Sequence, residues 1–145
     1  MLALVQRVAE AQVDVDRAAV AAIGRGLLVF VCAEPHDSER VADRMVDKLL
    51  KLRIFGDAAG KMNHSVRDIE GALLIVSQFT LAADLSSGNR PRFGGAADPV
   101  LGRCLFERVV GRARAQHPQV AAGVFGADMQ VRLVNDGPVT LMLKL

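Results

Sequence analysis

Two short segments hold most of the residue types that could line a reactive site. Ser77-Gln78-Phe79-Thr80 follows an apolar run at 72–76. Polar groups emerging from a strand end can line a pocket, with freed backbone N–H groups beside the hydroxyls. Taken locally, the segment also reads as a polar cluster at a strand edge. Asn135-Asp136-Gly137-Pro138-Val139-Thr140 lies between apolar runs at 129–134 and 139–145. Asn-Asp-Gly in that setting predicts a hairpin. Pro138 cannot donate to a ladder, and X-Pro bonds are where cis peptides occur. A Gly-Pro there exposes two backbone carbonyls on a stiff element.

Familiar catalytic constellations are missing. A Ser-His-Asp or Cys-His site needs a base held beside the nucleophile. His36, His64 and His117 all fall in predicted loops or at a helix end. No HExxH, histidine cluster or acidic calcium loop appears, so no intrinsic metal and no cofactor is expected. Gly24-Arg25-Gly26 lacks the rest of a dinucleotide fingerprint and reads as a turn. Cys32 and Cys104 lie far apart inside apolar segments, which predicts two buried, reduced thiols in a cytoplasmic protein.

Several elements must position these segments. Alternation from Leu2 to Arg7 predicts a first strand, and Val13 and Val15 its hairpin partner. Residues 27–33 predict a buried strand that Pro35 ends. Val41, Met45, Leu49 and Leu52 recur at helical spacing, so a helix is expected from Asp37 or Ser38 to about Leu52. One side of it carries Arg40, Arg44, Lys48 and Lys51, and the neighbouring side Glu39, Asp43 and Asp47. Such stripes read as a solvated charged face or as a track for an RNA backbone. Ile54 and Phe55 predict a short strand, and 72–76 another. Residues 84–98 form a long loop, and long loops in compact domains are usually functional or mobile. Asp98-Pro99 is a good helix start, with apolar spacing to about His117. Strands are predicted at 120–125, 129–134 and 139–145. The pattern is α+β: antiparallel sheets packed with two main helices in one domain, 1–145.

Composition narrows the function class. The chain has 145 residues, 51% of them hydrophobic, and a net charge of +2. Disorder is excluded as the main state. No apolar run approaches the ~18–20 residues of a membrane span, and no leader peptide is visible. Fourteen of the 18 basic residues are arginine, suited to phosphate contacts, yet the overall charge is too balanced to announce nucleic acid. Trp and Tyr are absent, which weakens the case for a broad base-stacking platform.

The two segments together, SQFTL at 77–81 and NDGPVT at 135–140, resemble the paired motifs of the D-aminoacyl-tRNA deacylases. Lesser matches run along the whole chain: Gln6-Arg7-Val8, Arg53-Ile54-Phe55, 60–63 (GKMN), 81–84 (LAAD), Arg90-Pro91 with Phe93, and 125–131 around Phe125 and Met129. The resemblance implies an enzyme that hydrolyses the ester between a D-amino acid and the 3′ end of tRNA, and that also acts on mischarged glycyl-tRNA. It implies a homodimer in which Gly137 and a cis-Pro138 reach into the partner's site. Ser77, Gln78, Phe79 and Thr80 would floor the pocket, Arg7 would hold the Gly-Pro element, and Phe125 and Met129 would lie by the terminal adenosine. The N–H groups of Phe79 and Thr80 are candidates for an oxyanion role. No base stands beside Thr80 in the sequence, and the resemblance implies that the substrate's own 2′-OH assists instead.

The chain departs from the family at three places. The family favours glycine at Cys32, often has serine at Arg92, and favours alanine at Gly102. Two other readings remain open: a same-fold editing deacylase for mischarged small L-aminoacyl-tRNA, and a non-catalytic dimeric nucleic-acid-binding module. Intact NDGPVT weighs against the first, and retention of both motifs against the second.

Overall fold

The computed structural model describes residues 1–145. The elements run β1 (Leu2–Val15), β2 (Ala18–Ile23), β3 (Gly26–Cys32), α1 (Glu39–Lys51), β4 (Phe55–Gly56), β5 (Met62–His64), β6 (Ala72–Ser77), a 3₁₀ turn (Phe79–Ala82), α2 (Pro99–Gln116), β7 (Val120–Ala122) and β8 (Gln130–Lys144). The architecture is α+β, with both helices where the apolar spacing places them.

The sheet is mixed, which corrects the antiparallel expectation. β1 pairs antiparallel with β8 along almost its whole length. Its other edge takes β3 at 2–8 and β2 at 11–15, both antiparallel. β3–β6 and β6–β7 are parallel. The reason is connectivity. A parallel pair needs a long crossover, and α1 and α2 lie within the segments that join β3 to β6 and β6 to β7.

Three sequence expectations about strands change. Val13 and Val15 belong to β1 itself, and their partner is β2. The turn between them is Asp16-Arg17, both at positive φ (49° and 65°), the combination a two-residue hairpin turn needs. The strand expected at 120–125 stops at Ala122. Asn135-Asp136-Gly137 is not a hairpin tip: β8 runs straight through it. The register against β1 shifts there, between Gln6 and Val8 and again between Val8 and Glu10. The turn chemistry is spent on a bulge that pushes Asp136, Gly137 and Pro138 outward from a continuous strand.

Two apolar clusters flank the sheet. The larger packs α1 and α2 on one face through residues such as Met45, Leu49, Leu105 and Val109 against Val5, Leu27, Leu73 and Ile75. The smaller, with Val8, Val13, Leu28, Leu74 and Val76, covers the other face. β3 and β6 are therefore buried on both sides, which is why they read as unbroken apolar runs. A Cβ at Gly26 would overlap the Ala72 carbonyl, so glycine alone lets β3 start against β6. Of the two thiols only Cys32 is buried. Cys104 sits on the exposed face of α2, and both are free. No helix is long and apolar enough to cross a membrane.

The acidic stripe of α1 is not a free solvated face. Arg108 of α2 grips Asp43 with two hydrogen bonds of 2.8 Å and reaches Glu39 at 3.1 Å. Arg112 and Gln116 hold Asp47 at 3.0 and 3.1 Å. The Arg108 hydrogen bonds keep the Asp43 carboxyl below its ordinary range, and Gln116 followed by Arg112 does the same for Asp47. A carboxylate with a lowered folded-state pKa stabilises the fold above its unfolded value and loses that contribution as pH falls through the folded one. Stability is thus expected to be level down to about pH 4, near the unfolded Asp value, and to fall below it. Arg108→Met should make that acid limb shallower in a thermal-melt series. An unchanged limb would mean these pairs carry no linkage.

Candidate active site

A cleft of about 640 Å³ opens at the C-terminal ends of β3 and β6. Its floor is Ser77, Gln78 and Phe79. Its walls come from Cys32, from the start of α2 with Pro99, Gly102 and Phe106, and from Phe125 and Met129 after β7. Asp98 fixes the wall helix in place. Its carboxylate accepts from Val100 N (2.9 Å) and Leu101 N (3.1 Å), capping α2 as the Asp-Pro pair predicts.

The floor is built by a change of backbone. β6 ends at Ser77, Gln78 N donates to Val31 O at 2.8 Å, and the chain then tightens into the 3₁₀ turn. The first N–H groups of a helical turn have no acceptor inside it. Neither Phe79 N nor Thr80 N donates to another protein group. Gln78 Nε2 donates to Thr80 Oγ1 at 2.6 Å, which holds both side chains over the turn. Below it, the Cys32 Sγ lies 3.5 Å from Phe79 O and 3.4 Å from Ala33 O. Burial pushes the Cys32 thiol up, so it acts as packing beneath the turn and not as a thiolate nucleophile.

The long loop covers one side. Asp84 and Arg92 close its neck through a paired backbone bridge and a 2.7 Å ion pair. Phe93 then meets Phe79 edge-on, ring centres 5.1 Å apart. Ala97 N donates to Ala33 O at 2.8 Å and docks the loop's end. Arg92 is therefore a neck residue. On the far wall Phe125 packs against Phe106 at 5.9 Å and lies beneath the Arg103 guanidinium at 4.7 Å. A Cβ at Gly102 would meet Phe125 Cζ at 3.6 Å, an ordinary contact. The glycine thus leaves room for about one methyl group on that wall.

A second constellation forms around the bulge. The Gly137–Pro138 peptide is cis, and Gly137 has φ +134°. Arg7 Nε donates to Asp136 O at 2.9 Å, and its Nη1 donates to Ile54 O at 2.6 Å. Asn135 closes the bulge. Its Oδ1 accepts from Val139 N at 2.9 Å, and its Nδ2 donates to Thr140 Oγ1 at 2.8 Å. The types at 135 and 140 are explained by this clasp.

The candidate residues therefore fall into two groups in one chain. Ser77, Gln78, Phe79, Phe125 and Met129 line the cleft, and Thr80 stands one residue beyond its floor. Arg7, Gly137 and Pro138 gather at the bulge and do not line it. Phe106 was not anticipated in the cleft lining, nor Arg103, which stacks on Phe125 without lining the cleft. Phe106 shares the apolar spacing of a core helix face, and Arg103 carries no sequence mark at all. Cys32, Asp98 and Asp128 are the only Asp, Glu, His, Lys, Arg or Cys side chains along the cleft. No group of three or more His, Cys, Asp or Glu side chains is placed to hold a metal.

The chain belongs to the D-Tyr-tRNA(Tyr) deacylase family, whose family model matches residues 4–144. It is 65% identical over 145 residues to a D-aminoacyl-tRNA deacylase of Variovorax paradoxus (strain S110), covering 100% of this chain and 99% of that one. A protein of the same name from Aromatoleum aromaticum is 64% identical over 145 residues, covering 100% and 95%. The solved structure of a protein named c-Myc DNA Unwinding Element Binding Protein matches with a TM-score of 0.95 at 38% identity, covering 100% of this chain and 99% of that chain. A probable eukaryotic D-amino acid tRNA deacylase matches with a TM-score of 0.86 at 19% identity, over 98% and 97%, and shows the shared fold.

Proposed function

We propose that this chain is a single-domain D-aminoacyl-tRNA deacylase that works as a homodimer in the cytoplasm. It hydrolyses the ester of D-aminoacyl-tRNA, and of mischarged glycyl-tRNA, to free amino acid and tRNA. The observation that carries the reading is the floor of the cleft. The N–H groups of Phe79 and Thr80 have no protein acceptor, and Phe79 lines an apolar cleft with no histidine or lysine side chain, Thr80 following directly after it. Such donors stabilise the oxyanion of an attacked ester, each worth about 2.7–4 kcal/mol of barrier. The attacking water is activated with help from the 2′-OH of the terminal ribose, so the protein needs no base of its own. Ser77, Gln78 and Thr80 position the ester, and Phe125 and Met129 flank the terminal adenosine.

The second copy is what joins the two groups of residues. The Gly137 and Pro138 carbonyls, aimed by Arg7, enter the partner's cleft and clasp the substrate's α-amino group. With amino and ester groups both fixed, an L side chain points into the wall and a D side chain points out. Steric exclusion of one isomer needs no recognition of the side chain itself. Support for a dimer comes from β8, where the large apolar side chains of Val134, Leu141 and Met142 are 51%, 37% and 54% exposed in the single chain.

The test is incubation with D-aminoacyl-tRNA in excess EDTA. Release of free D-amino acid, with a tRNA that can be recharged, is the expected outcome, and gel filtration should show a dimer. An intact ester after prolonged incubation, with tRNA still bound, would favour the binding-module reading instead.

A further inference from the structure

On the deacylase reading the cleft takes the last nucleotide of a tRNA, and the rest of that molecule needs a surface outside it. The charge pattern of α1 supplies a surface for that rest. Its acidic side, Glu39, Asp43 and Asp47, is taken up by Arg108 and Arg112 of α2. Its basic side is left unopposed: Arg40, Arg44, Lys48 and Lys51 are all exposed and none is in an ion pair. The helix pairing thus cancels one stripe and leaves the other stripe's field intact. These four residues run about 17 Å along the helix at 1.5 Å per residue. A nucleic-acid strand presents one phosphate per about 3.4 Å of axis, so the stripe spans several phosphates.

The stripe continues past the end of α1. One shallow groove is lined by Arg44, Lys48, Lys51 and Arg53, and an adjoining one by Lys51, Arg53 and Arg67. Asp47 and Asp68 are the only acids along them, and Asp47 is already paired with Arg112. This surface adjoins the functional groups at two points. Leu145, in the first groove, exchanges backbone hydrogen bonds with Met1, which lines the cleft. Arg53 precedes Ile54, whose carbonyl accepts from the same Arg7 that holds Asp136 beside Gly137.

We infer that this basic track binds the phosphate backbone of the tRNA acceptor arm, outside the terminal nucleotide held in the cleft. The identity of the occupant rests on the deacylase reading. The charge argument does not. Lys and Arg on an exposed helix give backbone affinity without sequence readout.

The experiment uses the full-length triple variant Arg44→Gln/Lys48→Gln/Lys51→Gln. Glutamine keeps nearly the same helix propensity at these exposed positions. The first readout is filter binding of uncharged tRNA over a salt series. Binding is expected to weaken about 10-fold near 0.1 M salt, and the log–log salt slope to fall by about 2–3, close to 0.7–0.9 per lost phosphate contact. The second readout is hydrolysis. KM for D-aminoacyl-tRNA should rise with kcat unchanged, while 3′-(D-aminoacyl)adenosine, which lacks the acceptor arm, should be cleaved as before. Unchanged tRNA affinity and salt slope would overturn the inference. Equal losses on the long and the short substrate would overturn it too, since the damage would then lie in the cleft or the fold. If the unaltered protein binds tRNA but cleaves neither substrate, the deacylase reading fails, and the binding series still decides the track.

Discussion

Gly137→Ala is expected to lower hydrolysis of D-aminoacyl-tRNA by about 100-fold, the cost of a ~1 Å misplacement of a positioning group. A Cβ at 137 would lie 2.8 Å from Val139 Cγ2, 2.9 Å from Arg7 Nη2 and 3.1 Å from Val139 N. Part of that crowding is backbone, which cannot swing aside as a side-chain tip can. The φ of +134° adds strain for any L residue, typically of order 1–3 kcal/mol. The relief available is a shift of the bulge or of Arg7, and either moves the carbonyls that we propose clasp the amino group. Gly137 is itself exposed and lies outside both apolar clusters. The thermal midpoint should fall only by the several degrees that this strain implies, while the rate collapses. A variant with full activity would show that the bulge does not position substrate.

The second large effect concerns the substrate. A D-aminoacyl-tRNA ending in 2′-deoxyadenosine should react about 10²–10⁴-fold more slowly, the usual worth of a positioned proton-transfer group. The cleft itself offers few substitutes for the missing hydroxyl. Cys32 is buried with its thiol pushed up, and Asp98 is occupied by the cap of α2. Asp128 is the remaining carboxylate along the cleft. If Asp128 were the base, Asp128→Asn would abolish activity and the deoxy substrate would react normally. The substrate-assisted account expects the reverse on both counts, read by initial rates under single-turnover conditions.

How much of this was legible in the sequence depends on whether a residue's role is local. α1 and α2 were readable because apolar spacing and the Asp98-Pro99 cap are properties of neighbouring residues. The mixed sheet was not, because parallel pairing of β3 with β6 is decided by where α1 packs, not by either strand's own residues. Asn-Asp-Gly reads as a hairpin because that tripeptide has the right turn chemistry. Only the pairing of β8 with the whole of β1 shows that the same chemistry makes a bulge. Ser77–Phe79, Phe125 and Met129 were identified through motif resemblance, and the cleft brings them together. Phe106 and Arg103 were hidden because one looks like any core residue and the other like any surface cation. The separation of Arg7, Gly137 and Pro138 from the cleft is a property of one chain that no single sequence displays.

The most direct test of the whole account is a side-by-side deacylation of the D- and L-forms of one aminoacyl-tRNA, in EDTA, at equal enzyme. Fast loss of the D-ester with the L-ester spared is the expected result. It would establish a chirality-selective deacylase that needs no chelatable metal, as the steric account requires. Comparable loss of both esters would contradict the steric account, and the space beside Gly102 and Phe125 would be the first place to look for the missing wall.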